Sequence, residues 1–308
     1  MQAAESFGGR ASGRVLQLNA MENRVFDVEL EDESHLVVKF YRPGRWKAET
    51  IQDEHDFLQA CLNDEIPVVT PVAGKDGKTV QRWEDIYFAA FPKTQGRLEP
   101  ELMPTQLQRL GRYLARLHNI GESFRDTTRL RLDAQTYGFG ALADLKTTGL
   151  LPIEFASRYE DLVVKISQIA EARLKPLPYI LLHGDCHVGN ILWRGDAPFF
   201  IDFDDCLYAP AVQDLWLLTG GDDEYGQKAR ETLLDAYEEI REFDHNTLSL
   251  IPILRAMRMI HFSTWIAKRW DDASFKRAFP QFTNFKYWAE QVESLGILAE
   301  QIQQAALR

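Results

Sequence analysis

Apolar residues in this chain of 308 change their period once, and that change constrains the fold more than any other feature. In Arg24-Val-Phe-Asp-Val-Glu-Leu30, Phe26, Val28 and Leu30 alternate with Asp27 and Glu29, the period of two that a half-buried strand requires. Leu36–Tyr41 reads as a second strand ended by Arg42-Pro43-Gly44, and Ile86–Phe91 as a third closed by Pro92. Asp76-Gly77 has the composition of a hairpin turn. Ala48–Leu62, acidic near its start, reads as a helix. Past a polar loop at 93–97, Leu107, Leu110, Leu114 and Leu117 form one apolar helical face, and 154–175 and 226–308 keep that character. Tyr179–Leu182 and Pro198–Ile201 are short apolar strands predicted to pair with each other. A strand-rich first third before a helix-rich remainder predicts an α+β fold of two lobes. The expected divisions are a mobile Gly-rich tail over 1–14, a β-rich lobe over 15–92 and a helical lobe over 93–308.

Charge and composition remove several classes of function. Thirty-five Lys plus Arg against 46 Asp plus Glu give a net charge of -11, which opposes generic binding to a nucleic-acid backbone. Much of the acidic excess, at Asp27–Glu33 and Asp235–Asp244, reads as solvated faces. No apolar run reaches the ~18 residues of a membrane helix, and the first residues lack the apolar core of a signal peptide. Three cysteines are too few and odd in number for a disulfide scaffold, so a reduced cytoplasm is expected.

The stretch from His183 to Asp205, HGDCHVGNILWRGDAPFFIDFDD, carries the chemistry. Asp185 follows an apolar run in a turn built from Gly184 and Gly189, Asn190 comes five residues later, and Asp202 closes the next short strand. Two short strands with a tight connection bring a carboxylate, a carboxamide and a second carboxylate toward one spot. Hard oxygen ligands of this kind suit Mg²⁺, held by few protein groups plus phosphate oxygens. A carboxylate beside such a metal can accept the proton of an attacking hydroxyl. His, Asp at +2 and Asn at +7 is the spacing of a kinase catalytic loop, with Gly184 where an Arg usually follows the His and Asp204 where the metal-binding triplet usually has Gly. Without that Arg, activity is expected not to require a phosphorylated loop. The competing reading is a metal hydrolase using His183, Asp185 and His187; the simpler role for His183 is to brace the loop through a backbone bond.

The nucleotide side is expected in the first lobe. Lys39 sits in an apolar strand, where a lysine on the α- and β-phosphates would pair with a helix glutamate, Glu54 rather than Asp53. The alternative at Lys39 is an edge-strand lysine facing water. No GxGxxG loop is present; the turn Leu18–Asn23 offers backbone amides instead. Ala89-Ala90-Phe91 is the expected hinge, receiving adenine through its backbone groups and ending at Phe91.

Together, NAMENRVFDVEL, VVKFYRPGRW, EHDF, GRYLARLH, HGDCHVGNILW, FIDFDDCLYAPAVQDLW and LRAMRMIHFSTWIAKRW resemble the bacterial stress response kinase A family, over roughly residue 15 to the end. Its members are Ser/Thr protein kinases on the aminoglycoside phosphotransferase-like fold. The resemblance implies a protein-kinase-like fold with a small β-rich N-lobe and a larger helical C-lobe. It implies Asp185 as proton acceptor, Asp202 as second catalytic carboxylate, Asn190 and Asp202 as Mg²⁺ ligands, and Ala20 in the ATP site. The chain departs from the family in lacking an evident helix before the first strand, and in having Ala209 where Gly usually precedes Pro210.

Other features take plainer readings. Cys186 and Cys206 adjoin active-site carboxylates, which should raise their thiol pKa, so both read as structural. Residues 255–288 hold seven Lys or Arg, two Asp and nine aromatics, a helical subdomain that buries its rings rather than a single-strand binding patch. His118 and Trp216 read as core, and Asp214 as a brace. The expected enzyme transfers the γ-phosphoryl group of Mg-ATP to a protein Ser/Thr hydroxyl, with a protein substrate and neither nucleic acid nor membrane as partner. The short span from Asp202 to Asp214 favours a small alcohol instead, and a catalytically silent ATP-binding regulator is a remoter alternative.

Overall fold

The residues expected to trail as a mobile tail begin the fold instead. The structure, a computed structural model, describes residues 1–221 and 223–306; positions 307 and 308 of the expected second lobe, and 222 within it, lie outside them. Helix α1 (Gln2–Glu5) buries Ala4, and Phe7 meets the Phe88 ring edge-on at 5.9 Å. Two alanines and one aromatic suffice to seat the segment, a signal too sparse for periodicity to register. Strands β1 (Ala11–Leu18), β2 (Arg24–Leu30) and β3 (His35–Phe40) follow, then α2 (Ala48–Asn63), β4 (Gln81–Trp83) and β5 (Ile86–Pro92). The sheet order is β1-β2-β3-β5-β4 with every neighbouring pair antiparallel.

Strand β3 therefore lies inside the sheet, and its register sets Lys39 opposite Val25 on one side and Ala89 on the other. An interior, buried Lys39 excludes the edge-strand reading. Asp27 is not on a solvated face: it is 6% exposed, and both His35 Nδ1 and Lys93 Nζ donate to its carboxylate at 2.7 Å. These donors hold its pKa low against burial, which pushes the other way. The β4–β5 hairpin turns at Glu84-Asp85, where Glu84 has φ 52, and not at Asp76-Gly77. That dipeptide closes a separate turn, with Gly74 N–H donating to the Lys78 carbonyl at 2.8 Å, because no strand flanks it closely enough to pair.

The chain continues through β6 (Arg97–Leu98), α3 (Pro104–Ser123), a π-helical turn at Gln135–Phe139, α4 (Gly140–Thr148), α5 (Ile153–Leu174), β7 (Ile180–Leu182), β8 (Ile191–Arg194) and β9 (Ala197–Phe200). Then come β10 (Leu207–Ala209), α6 (Val212–Thr219), α7 (Glu224–Glu238), α8 (Ile251–Ala267), α9 (Ala273–Ala278) and α10 (Phe285–Ala306). A β-sheet N-lobe with a helical C-lobe is the observed architecture. Strand β9 pairs with β8, Phe200 opposite Ile191, and not with the 179–182 segment. The two-residue Gly195-Asp196 turn makes that local hairpin the cheaper pairing; β6 adds to the other edge of β8.

Contacts group the chain into two units. The first is Met1–Arg129, Ile180–Cys206 and Leu217–Phe243; the second is Leu130–Tyr179, Leu207–Trp216 and Asp244–Arg308. The expected division after residue 92 falls inside the first. Within it, the leucine face of α3 is buried, and His118 lies 2.9 Å from the Tyr237 hydroxyl on α7. Helix α3 approaches β7 so closely that a Cβ on Gly121 would sit 1.7 Å from the Leu181 carbonyl oxygen. Within the second unit, Trp216 is buried, and Phe275, Phe282 and Trp288 are fully so, the ring-burying subdomain the sequence implied. Among the described residues no helix is long and apolar enough to cross a membrane.

Candidate active site

Strand β7 delivers the chain to His183 and then to Gly184, whose φ of +82 lies in the left-handed region that only glycine enters without penalty. An Arg at 184 would strain this backbone. His183 is fully buried; its Nε2 donates to the Ile201 carbonyl at 3.0 Å, and its ring lies 4.4 Å from that of Phe203. The histidine thus joins the loop to the end of β9. The Asp185 carbonyl accepts from both the His187 N–H and Asn190 Nδ2 at 2.9 Å. One carboxylate oxygen of Asp185 lies 3.4 Å from Asn190 Nδ2 and 3.5 Å from His187 Nε2. Ile201 N–H donates to the Asn190 carbonyl at 3.0 Å, which ties Asn190 to the residue just before Asp202. Asp202 itself takes φ 60 and ψ 63, left-handed for a residue with a Cβ, with its side chain 58% exposed.

Lys39 meets this hairpin from the sheet. Its Nζ lies 3.5 Å from Glu54, 3.4 Å from Asp202 and 3.2 Å from Asp204. Glu54 is the helix partner; Asp53, one residue earlier, accepts instead from the N–H and hydroxyl of Thr128, each at 2.7 Å. Burial opposes the Lys39 charge, yet Asp204 and Glu54, with smaller contributions from Tyr41 and Asp202, hold its pKa well above the ordinary value. Burial pushes the Glu54 carboxyl up to about 7 against the pull of Lys39. Asp204 behaves oppositely: burial would raise it, but Lys39, Arg45 and Arg129 hold it well below the usual carboxylate range.

Asp204 is the centre of a network that sequence reasoning did not find. Arg45 donates to Asp204 and Asp205 and lies 3.7 Å from Glu22, while Asn23 Nδ2 donates to Asp204 at 3.2 Å. The β1–β2 turn is thereby joined to the residues after Asp202. Lys39 and Arg45 face the acidic 202–205 run while Arg42 between them meets Glu22; the spacing of cations was the available signal, but charge runs do not name partners.

Between the sheet and this run lies a cavity of about 560 Å³. Ala20, Lys39, Glu54, Phe91 and Asp202 line it, with Val37 and Ile201 among its apolar walls. Asp185 and Asn190 are not among its lining residues.

The profile of the family described as "Phosphotransferase enzyme family" matches residues 15–251. Stress response kinase A of Escherichia coli (strain K12) is 38% identical over 312 residues, spanning 100% of this chain and 94% of the relative. The chain belongs to the phosphotransferase enzyme family. A Salmonella typhimurium relative named "Serine/threonine protein kinase RdoA" is 38% identical to this phosphotransferase, over 92% of this chain and 87% of its own. Amicoumacin kinase hAmiN, solved with AMP-PNP, Ca²⁺ and Ami, shares the fold at a TM-score of 0.74 and 21% identity, covering 94% of this chain and 92% of that one.

The donors beside Asp202 fit a hard divalent cation. Asn190 commits its NH₂ to Asp185, leaving its carbonyl oxygen as the atom for a metal, and Asp202, one residue past the Ile201 that bonds the Asn190 main chain, presents an exposed carboxylate. Two oxygen donors with phosphate oxygens to complete the shell suit Mg²⁺. The hydrolase alternative fares worse: among the described residues no group of three or more His, Cys, Asp and Glu is gathered for a metal, and His187 Nδ1 accepts the Gly189 N–H at 3.0 Å. Cys186 and Cys206 are buried; burial, more than neighbouring charge, pushes the Cys206 thiol up to about 12.

Proposed function

We propose that this phosphotransferase is an ATP-dependent Ser/Thr protein kinase acting in a bacterial stress response in the cytoplasm. The observation that carries the reading is the Lys39 ammonium set among Glu54, Asp202 and Asp204 beside a cavity of nucleotide size. Lys39 holds the α- and β-phosphates, kept in place by Glu54. The β1–β2 turn at Ala20 and the hinge at Phe91 enclose the nucleotide. Asn190 and Asp202 hold Mg²⁺, which when bound neutralises charge on the phosphate oxygens. Asp185 orients the acceptor hydroxyl and takes its proton as the new oxygen–phosphorus bond forms; the bond to the β-phosphate oxygen breaks and ADP leaves. The Asn190 amide and His187 fix the Asp185 carboxylate for this task.

The relatives' printed names support a protein acceptor. A second reading, a small-alcohol kinase, is favoured by the short span from Asp202 to Asp214 and by the amicoumacin kinase of like fold. Transfer of labelled γ-phosphate to a protein panel, run beside amino alcohols, sugars and aminoglycosides, separates the two. Label on protein Ser or Thr is expected; label only on small molecules would replace the first reading with the second. Asp185→Asn is expected to lower kcat by roughly 10²–10⁴-fold with ATP affinity nearly unchanged. Full turnover in that variant would remove Asp185 from the chemistry.

A further inference from the structure

Arg129 is a buried cation that the phosphoryl-transfer reading leaves unused. It is 4% exposed and closes the first stretch of the first unit. Its Nε donates to the Cys206 carbonyl at 2.7 Å, its Nη1 to the Thr50 carbonyl at 3.2 Å, and its Nη2 to the Asp204 carbonyl. The guanidinium lies 4.7 Å from the centre of the Trp46 ring, within cation–π range. Arg45 lies 4.9 Å from the same ring and donates to the Asp204 and Asp205 carboxylates. Two arginines and one indole thus grip residues 204–206 by main chain and side chain together.

The grip reaches both halves of the Lys39 site. Thr50 stands one helical turn before Glu54 on α2, and Asp204 stands two residues after Asp202. We propose that Arg129 is a positioning residue, which holds α2 and the 202–206 segment in fixed register so that Glu54 and Asp202 meet Lys39 together. Its planar fork is what the task needs: Nε and Nη2 take the Cys206 and Asp204 carbonyls while Nη1 reaches the Thr50 carbonyl on another side of the rigid plane, a spread of directions that the compact ammonium of a lysine does not hold fixed. Thr128, the preceding residue, adds to the hold by donating to Asp53 on the same helix.

The inference rests on the proposed function for its kinetic test and stands without it for its structural one. Arg129→Lys keeps the charge and loses the fork; Trp46→Leu removes the stacking surface at a half-buried position outside the nucleotide site. Hydrogen exchange in both variants, compared with wild type, is expected to quicken by tenfold or more at residues 48–54 and 202–206 together, with the β1–β5 sheet unchanged. Kinetics should show kcat down about 10- to 100-fold with KM for ATP within about threefold, a split that general destabilisation does not produce. Arg129→Lys that exchanges and turns over like wild type overturns the proposal, as does quickening confined to one of the two segments. Should Arg129→Lys fail to fold, Trp46→Leu decides by the same two readouts. Wild-type protein without any phosphoryl transfer would instead defeat the kinase reading, and the exchange pattern would still judge the clamp.

Discussion

Asp202 occupies a backbone conformation that costs the chain free energy, of order 1 kcal/mol for a left-handed residue with a Cβ. It also adds a carboxylate to a site already holding Glu54, Asp204 and Asp205. Asn tolerates the left-handed region and carries no charge, so Asp202→Asn should abolish phosphoryl transfer while Tm stays level or rises; a clear fall in Tm would contradict this. Glu54 gives a pH signature. Its folded pKa near 7 lies above the ordinary 4.5, so its contribution is complete below about 4.5 and is lost as pH rises through about 7. Ligand-free wild type should therefore lose stability across that window, and Glu54→Gln should flatten the slope in thermal scans taken at successive pH values. The residues that make these predictions differed in how visible they were. Asp185, Asn190, Asp202 and Lys39 could be named because their chemistry restricts residue type at short, fixed spacing. Arg45 and Arg129 could not, since a guanidinium pairing across 159 positions, as Arg45 does with Asp204, leaves no local pattern.

Helix α3 shows what one element contributes to a loop it does not contain. Gly121 lets α3 lie against β7, two positions before His183, and a methyl there would collide with the Leu181 carbonyl. Gly121→Ala should cost about 2 kcal/mol or more in denaturant unfolding and lower turnover as β7 is displaced; an unperturbed midpoint would show that α3 can shift freely. Most elements were legible from period, apolar runs and composition: β2, β3, β5, α2 and α5 start and stop within a residue or two of expectation, and the leucine face read at 107–117 lies within α3. What failed were elements without such a face. The first residues read as tail because α1 is one turn held by Ala4 and Phe7. The β8–β9 pairing was missed because strands of four residues carry too few positions to choose among partners.

At the scale of the whole molecule, charge and chain path matter most. On the proposed kinase reading, a net charge of -11 would repel Mg-ATP, itself an anion, at long range, while Lys39 would attract phosphate at contact. Association should therefore quicken as salt rises from about 20 to about 200 mM, where screening shortens its reach, and stopped-flow binding of a fluorescent ATP analogue would show it; slower binding in salt would point to a locally positive entrance. The acidity that argued against a nucleic-acid partner thus becomes a rate effect for a small one. The chain path has a different consequence. The first unit is sewn from three stretches, ending at residues 129, 206 and 243, and Lys39 waits for a partner 163 positions downstream. On the ribosome, the sheet emerges early with Lys39 answered by Glu54 alone, Asp202 and Asp204 join it only with the second stretch, and the unit closes only when residue 243 has left the tunnel. No single cut in the gene yields that unit by itself, and a nascent chain stalled before residue 180 holds only the first of its three stretches.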